Sequence, residues 1–115
     1  MARPRKRKRV CRLPFHKHFH PAGMVRADEV ILTVEEYETL RLIDHEGLIQ
    51  EECAEIMHVA RTTVQRLYNS ARKKIAEALI EGKIIRIDGG DYRVCDRQSE
   101  QHRCRWGHCR RWLHG

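Results

Sequence analysis

The stretch that decides the fold runs from Gln50 to Lys74 and reads QEECAEIMHVARTTVQRLYNSARKK. Apolar residues recur at helical spacing on both sides of His58-Val59-Ala60, which predicts two helices joined by a tight turn. The second of these helices is rich in Arg, Thr, Gln and Asn and contains no acid up to Lys74. This layout is typical of a helix-turn-helix, whose second helix lies in the major groove of DNA.

An apolar seam between the two helices can be assigned residue by residue. It is expected to consist of Cys53, Ala54, Met57, Val59, Val64 and Leu67. Two residues of the turn depart from the usual pattern. His58 would need a left-handed backbone, which glycine adopts more easily, and Ala60 is a weak N-cap; each departure costs about 1 kcal/mol. A generic helical hairpin remains the alternative interpretation.

The rest of the chain predicts a small, mainly α domain. Thr33 and Glu36 form a capping-box pattern, and three helices are expected at about 33–46, 50–57 and 61–81. Two β-prone runs flank Asp88-Gly89-Gly90-Asp91, which predicts a C-terminal β-hairpin. Residues 1–27 contain all three prolines and no helical period, so we expect an extended basic arm and loop. The domain would then span 28–95, followed by a tail at 96–115.

Charge is segregated along the chain. The net charge is +7, and residues 1–26 contain nine Lys or Arg and no acid. Residues 28–60 contain ten acids against the single base Arg41, whereas 61–74 contain five bases and no acid. We therefore expect the arm and the third helix to meet a polyanion, with the acidic helices facing away.

Side-chain chemistry assigns roles to the residues of this surface. Arg pairs well with guanine and Gln with adenine, and recognition helices read with their N-terminal half. The expected base contacts are Arg61, Thr62, Gln65 and Arg66. The expected phosphate contacts are Arg3, Arg5, Lys6, Arg7, Lys8 and Arg9 in the arm, with Thr63, Asn69, Arg72, Lys73 and Lys74 in the helix.

These motifs resemble an uncharacterised family of small bacterial and archaeal proteins that are predicted to bind DNA. The resemblance covers residues 1–95. It rests on ARPRKRKRVCRLP at 2–14, on LTVEEYETLRLIDHEGLIQEECAEIM, on RTTVQRLYNSARKKIAEALIEGK and on the closing GGDYRV. The part from Leu40 to Ile75 is also similar to region four of bacterial sigma factors. That similarity implies a transcription-linked DNA binder with Arg61 to Arg66 at the groove, although Ile49 stands where a polar cap is usual.

A metal site is a separate hypothesis. The tail groups Cys95, His102, Cys104, His108 and Cys109, which are zinc-type ligands at loose spacing. A second candidate joins Cys11 to His16, His18 and His20, because alternate residues of an extended segment point the same way. Zinc is thus the one cofactor that the sequence suggests, and a metal-binding or metal-responsive protein is one rival function.

The sequence lacks the motifs of enzymes and of membrane proteins. No phosphate-binding loop, nucleophile elbow or paired carboxylates at a cleft are present, so we expect no enzyme activity. Without an apolar run of spanning length or a signal peptide, we expect a cytoplasmic, nucleoid-associated prokaryotic protein with no membrane partner. The expected partner is double-stranded DNA, with an RNA polymerase interaction module as the second rival. A homodimer would use apolar positions to spare on the third helix: Leu67, Ala71, Ile75, Leu79 and Ile80.

Overall fold

Three helices form the body of the protein, as the sequence predicts. The structure is a computed structural model that describes residues 7–23 and 27–94. The helices are α1 (Val34–Leu40), which continues as a π-helical turn (Arg41–His45), α2 (Gln50–Met57) and α3 (Arg61–Glu81). These bounds agree with the predicted ones to within a residue. The predicted tail at 96–115 lies outside the described residues.

Local capping follows the sequence closely. Thr33 Oγ1 accepts a hydrogen bond from Glu36 N at 3.2 Å, and Glu36 Oε1 accepts one from Thr33 N at 2.9 Å. This confirms the capping box of α1. His58 has φ 58° and ψ 46°, so the predicted left-handed residue is confirmed. Ala60 provides no side-chain cap to α3, also as expected.

Five short strands form two small sheets around the helices. They are β1 (Lys8–Val10), β2 (His18–Phe19), β3 (Glu29–Leu32), β4 (Ile84–Ile87) and β5 (Tyr92–Val94). β1 pairs in parallel with β5. In the second sheet, β4 lies between β2, which is antiparallel to it, and β3, which is parallel.

The predicted C-terminal hairpin is wrong. β4 and β5 do turn at Gly89 and Gly90, both with positive φ, but they do not pair with each other. Both edges of β4 are already occupied by β2 and β3, so no edge remains for β5. The turn is instead held by its neighbours: the Gly89 carbonyl accepts from Val34 N at 3.0 Å, and the Asp91 carbonyl accepts from Lys8 N at 3.3 Å.

The prediction that residues 1–27 form an extended arm and loop is also wrong in part, because residues 7–23 contribute β1 and β2 to the sheets. Val10 and Cys11 are fully buried. Val10 packs with Leu32 and Ile87 in one apolar cluster, whereas Cys11 belongs to a second cluster formed with α2. The start of the chain therefore joins the two halves of the core. Too few residues alternate in KRV for a strand to be predicted from its pattern.

The apolar seam between α2 and α3 forms as predicted. Cys53, Met57 and Val64 are fully buried, Leu67 is buried, and Val59 packs against them from the turn. Burial raises the pKa of the Cys53 thiol to about 12, so this cysteine stays protonated and acts as a small core residue. Within the described part of the chain, no helix is long and apolar enough to cross a membrane.

Candidate nucleic-acid interface

The four residues predicted to contact bases lie together on α3. Arg61, Thr62, Gln65 and Arg66 are all exposed, whereas Val64 and Leu67 on the opposite side of the helix are buried. Among the described residues, none of these four side chains has a hydrogen-bond or ion-pair partner. We call this set the reading face. Its groups are available to an external ligand without breaking any contact inside the fold.

The start of α3 adds a favourable backbone environment for an anion. Its first turn contains no acid and no side-chain cap occupies it, since the residue at that position is Ala60. The first amide groups of any α-helix lack acceptors within the helix and carry partial positive charge. The Thr63 amide already donates to the Ala60 carbonyl at 3.0 Å, so a phosphate group placed here would be stabilised by the amides before it as well as by side chains.

Most of the residues predicted to bind phosphates along α3 are accessible, whereas Lys74 is held inside the fold. Asn69 and Lys73 are exposed, and Thr63, the third residue of α3, is partly buried. Arg72 is exposed as well, with its Nε 3.6 Å from Asp44 Oδ2. Lys74 differs, because its Nζ lies 2.7 Å from Glu36 Oε1 and only a third of the side chain is exposed. Lys74 thus tethers α3 to α1 and is poorly placed for phosphate.

Asp44 is a residue near this surface that the sequence did not single out. Its carboxylate accepts a hydrogen bond from the Tyr68 hydroxyl at 2.7 Å and also faces Arg72. The hydrogen bond to Asp44 raises the pKa of Tyr68. The Arg72 guanidinium lies 5.3 Å from the centre of the Tyr68 ring. Asp44 therefore holds the orientation of two side chains beside the reading face, a role that only tertiary contacts reveal.

The arm is divided between the described fold and the residues before it. Arg3, Arg5 and Lys6 lie outside the described residues, and Arg7 is exposed. The prediction that Lys8 and Arg9 contact phosphates is wrong, because both belong to β1 and are buried. Lys8 Nζ lies 2.8 Å from Glu35 Oε2, and Arg9 Nη1 donates to the Ile56 carbonyl at 3.1 Å. Their charges are used inside the protein.

Three of the ten acids of the acidic segment are used inside the fold rather than on a solvated face. Glu35, Glu36 and Glu38 are all buried in α1. Glu38 is fully buried and accepts from Arg41 Nε at 2.8 Å and from the Cys11 amide at 2.8 Å. Burial by itself would lower the pKa of Arg41, but the hydrogen bonds and charge of Glu38 outweigh burial and raise it. The Arg41 guanidinium therefore stays charged although it is buried.

This internal pairing changes the interpretation of the net charge. Residues 7–23 and 27–94 contain 14 Lys or Arg and 14 Asp or Glu, so the described fold is neutral. The whole excess of +7 belongs to residues 1–6, 24–26 and 95–115. The reading face therefore has its local positive charges within a fold that has no net charge. Long-range attraction to a polyanion would come from residues 1–6, 24–26 and 95–115.

An open cleft of about 1090 Å³ runs beside the turn that joins α2 and α3. Arg66 and Thr63 line one side of it, and Glu35 and Asp91 line another. In the turn between α2 and α3, His58 Nδ1 lies 2.9 Å from Arg93 Nη2, and this contact links β5 to the turn. The cleft has walls of both charges and lies next to the reading face.

The metal hypotheses have different outcomes. Cys95, His102, Cys104, His108 and Cys109 all lie outside the described residues. Within 7–23 and 27–94, no three His, Cys, Asp or Glu side chains form a group suited to a metal ion. Cys11 points into the core, whereas His16, His18 and His20 are exposed, so the second candidate site is not assembled. The rings of His18 and His20 contact each other edge to face, with centroids 4.3 Å apart.

Comparison with known proteins gives the family of this chain. A family described as Protein of unknown function DUF134 matches residues 1–95. A UPF0251 protein of Desulfitobacterium hafniense is 55% identical over 98 residues, which cover 84% of this chain and 78% of the relative. A UPF0251 protein of Thermoanaerobacter pseudethanolicus is 55% identical over 105 residues, 90% of this chain and 89% of the relative. No solved structure matches. On the strength of the match over residues 1–95, the chain belongs to the DUF134 family of proteins of unknown function.

Proposed function

We propose that this protein binds double-stranded DNA sequence-specifically, with α3 in the major groove. One observation carries the proposal: the N-terminal half of α3 presents Arg61, Thr62, Gln65 and Arg66 together, exposed and without partners among the described residues. Side chains of these types match base edges, and an acid-free helix surface suits the approach to phosphates.

The way α3 is attached to the fold supports the proposal. The short turn after α2 contains the left-handed His58, and Val59 N donates to the Ala54 carbonyl at 3.0 Å. The buried seam then fixes α3 by one side while the opposite side stays exposed. A helix held in this way supports our proposal of a helix-turn-helix of the kind found in sigma factor region four, with a role in transcription regulation.

The basic residues before β1 supply the second part of the proposed interface. Arg3, Arg5, Lys6 and Arg7 precede a strand that is anchored in the core, so they start from a fixed point of the fold. A chain segment of this charge follows phosphates and adds affinity with little base information. The base readout is therefore assigned to α3, and the salt-dependent affinity to this segment.

Selection of bound fragments from random double-stranded DNA at near-physiological salt tests the proposal. The full chain should enrich one motif. Arg61→Ala and Gln65→Ala should each lose about 1–3 kcal/mol of discrimination at one base position. Lys17→Ala, which removes an exposed charge elsewhere on the fold, serves as the control and should leave the motif unchanged. The absence of an enriched motif, or an unchanged motif in both reading-face variants, would overturn specific readout. Capture of RNA polymerase without DNA affinity would instead support an interaction module.

A further inference from the structure

The π-helical turn after α1 and the middle of α3 meet at a contact that involves three side chains. Asp44 belongs to that turn, whereas Tyr68 and Arg72 lie one turn apart on α3. The Tyr68 hydroxyl donates to Asp44 Oδ1 at 2.7 Å, and Arg72 Nε lies 3.6 Å from Asp44 Oδ2. The Arg72 guanidinium also lies 5.3 Å from the centre of the Tyr68 ring. The Arg72 side chain is therefore held by a carboxylate and by an aromatic ring.

Arg72 lies in line with the reading face. It follows Gln65 by seven positions, and residues seven apart differ by only about 20° around an α-helix. The two residues are separated by about 10 Å along the helix axis. The major groove is about 12 Å wide, so a helix with Gln65 at a base edge brings Arg72 close to the phosphates that border the groove.

The contact with Asp44 leaves Arg72 able to bind a phosphate. Asp44 faces Nε, and the two terminal nitrogens of a guanidinium form a separate fork that fits two phosphate oxygens. The Arg72 side chain remains 62% exposed. A side chain that is already held in place loses less conformational freedom when its ligand binds. The exposed contact thus prepares Arg72 for an external anion.

The fold does not need this contact in order to fix α3 against α1. Glu36 of α1 already accepts hydrogen bonds from Lys74 and Ser70 of α3, and Glu36 is buried. By contrast, the Asp44 side chain is 41% exposed, and ion pairs in such positions contribute little stability. A carboxylate beside a DNA-binding surface would also repel phosphates unless a cation accompanied it. A role in binding explains its position better than a role in stability.

We infer that Asp44 is a positioning residue for DNA binding: with Tyr68, it holds Arg72 in the orientation that binds a phosphate beside the reading face. This inference rests on the proposed function. Asp44 itself does not touch the DNA, and its effect on affinity passes through Arg72. The effect is the same for every DNA sequence, because phosphates carry no base information.

A double-mutant cycle on the full chain tests the inference, with the DNA motif enriched by selection and a scrambled fragment as probes. Arg72→Ala should weaken binding to both fragments about fivefold and lower the slope of log affinity against log salt by about 0.9. Asp44→Ala should weaken binding about threefold while Arg72 is present and strengthen it in the Arg72→Ala chain, where the carboxylate only repels phosphates. Tyr68→Phe keeps the ring and every charge. It should weaken binding of the wild type and leave the Arg72→Ala chain unchanged.

Glu81→Ala is the matched control for loss of a carboxylate. Glu81 Oε1 lies 3.7 Å from Lys83 Nζ, and the Glu81 side chain is 58% exposed at the other end of α3. Sixteen positions separate it from Gln65, about 24 Å along the axis and beyond the range of screened charges, so affinity should not change in either background. Thermal unfolding verifies that every variant is folded.

The sign of the Asp44→Ala effect decides the outcome. Stronger binding in both backgrounds would mean that Asp44 only repels DNA, and weaker binding in both would mean that it acts through the fold; either result would overturn the inference. An enriched motif together with independent effects of Asp44 and Arg72 would leave the proposed function standing and refute the positioning role. A chain that binds neither fragment would refute both.

Discussion

Lys8 Nζ lies 2.8 Å from Glu35 Oε2, and this ion pair joins the basic start of the chain to the first helix. The Lys8 and Glu35 side chains are only 11% and 7% exposed. The backbone amide of Lys8 also donates to the Asp91 carbonyl, so three distant parts of the chain meet at this residue. The described fold therefore holds the chain firmly from Lys8 onward.

Replacing Lys8 should destabilise the fold rather than weaken DNA binding. Lys8→Ala leaves Glu35 as a buried carboxylate without its cation, and breaking such a pair costs about 3 kcal/mol. Arg7→Ala is the matched control, because Arg7 is exposed and its replacement should change stability by less than about 0.5 kcal/mol. Urea unfolding of both variants measures the difference. Equal stability of the two variants would show that the ion pair contributes nothing.

Truncation of the arm separates its two functions. Removal of residues 2–6 deletes Arg3, Arg5 and Lys6 and should leave stability unchanged, because the deletion ends before β1. It should lower the slope of log affinity against log salt by about 2 to 3, since each phosphate contact contributes about 0.9. Removal of residues 2–9 should in addition unfold or strongly destabilise the protein.

DNA affinity at several salt concentrations, together with thermal unfolding of both truncated chains, measures these effects. An unchanged salt slope after removal of 2–6 would show that the arm does not touch DNA. Wild-type stability after removal of 2–9 would show that β1 is dispensable.

The helices were predictable because their signals are local. The capping box at Thr33 and Glu36, the left-handed residue at His58 and the apolar period of α3 all act within a few residues of one another. Such interactions do not depend on what the rest of the chain does, and the bounds of the helices follow from them.

The strands were not predictable for the opposite reason. β1 has three residues and pairs with β5, more than 80 positions away, so no local period marks either of them. The turn at Gly89 and Gly90 has the composition of a hairpin, yet both edges of β4 are taken by other strands. The same limit applies to the candidate site: exposure of the reading face follows from helical period, whereas the pairing of Lys8 and Lys74 with buried glutamates depends on tertiary contacts.

Glu36 should make stability depend on pH in the acid range. Burial by itself would raise its pKa, but hydrogen bonds from Lys74, Ser70 and the Thr33 amide outweigh burial and lower the pKa below the ordinary value of 4.5. Because the pKa is lower in the folded state, the ionised carboxylate stabilises the fold above pH 4.5. This contribution is lost as the pH falls through the lowered value.

Glu36→Gln isolates this charge, because glutamine retains the carbonyl oxygen that a capping box needs. The variant should be less stable than the wild type at pH 7, and the difference should shrink as the pH falls from about 5 to 3. Glu51→Gln, on an exposed part of α2, is the control and should show no such change. Chemical unfolding across this range measures both variants. A stability difference independent of pH would contradict the assigned role of the carboxylate.

The two glycines of the turn before β5 should differ in their tolerance of alanine. Gly89 has φ 72° and open space where a Cβ would be, so Gly89→Ala should cost about 1 kcal/mol of backbone strain alone. Gly90 has φ 112°, and its added Cβ would collide with the Glu35 carboxylate and approach Thr33 Cβ at 3.2 Å. Gly90→Ala should therefore cost at least about 2–3 kcal/mol, because it adds a steric clash to strain in a conformation that only glycine adopts readily. Thermal and urea unfolding of the two variants measure this contrast. Equal costs would mean that Glu35 moves away from the added Cβ without losing Lys8, which would contradict the tight packing of α1 against this turn.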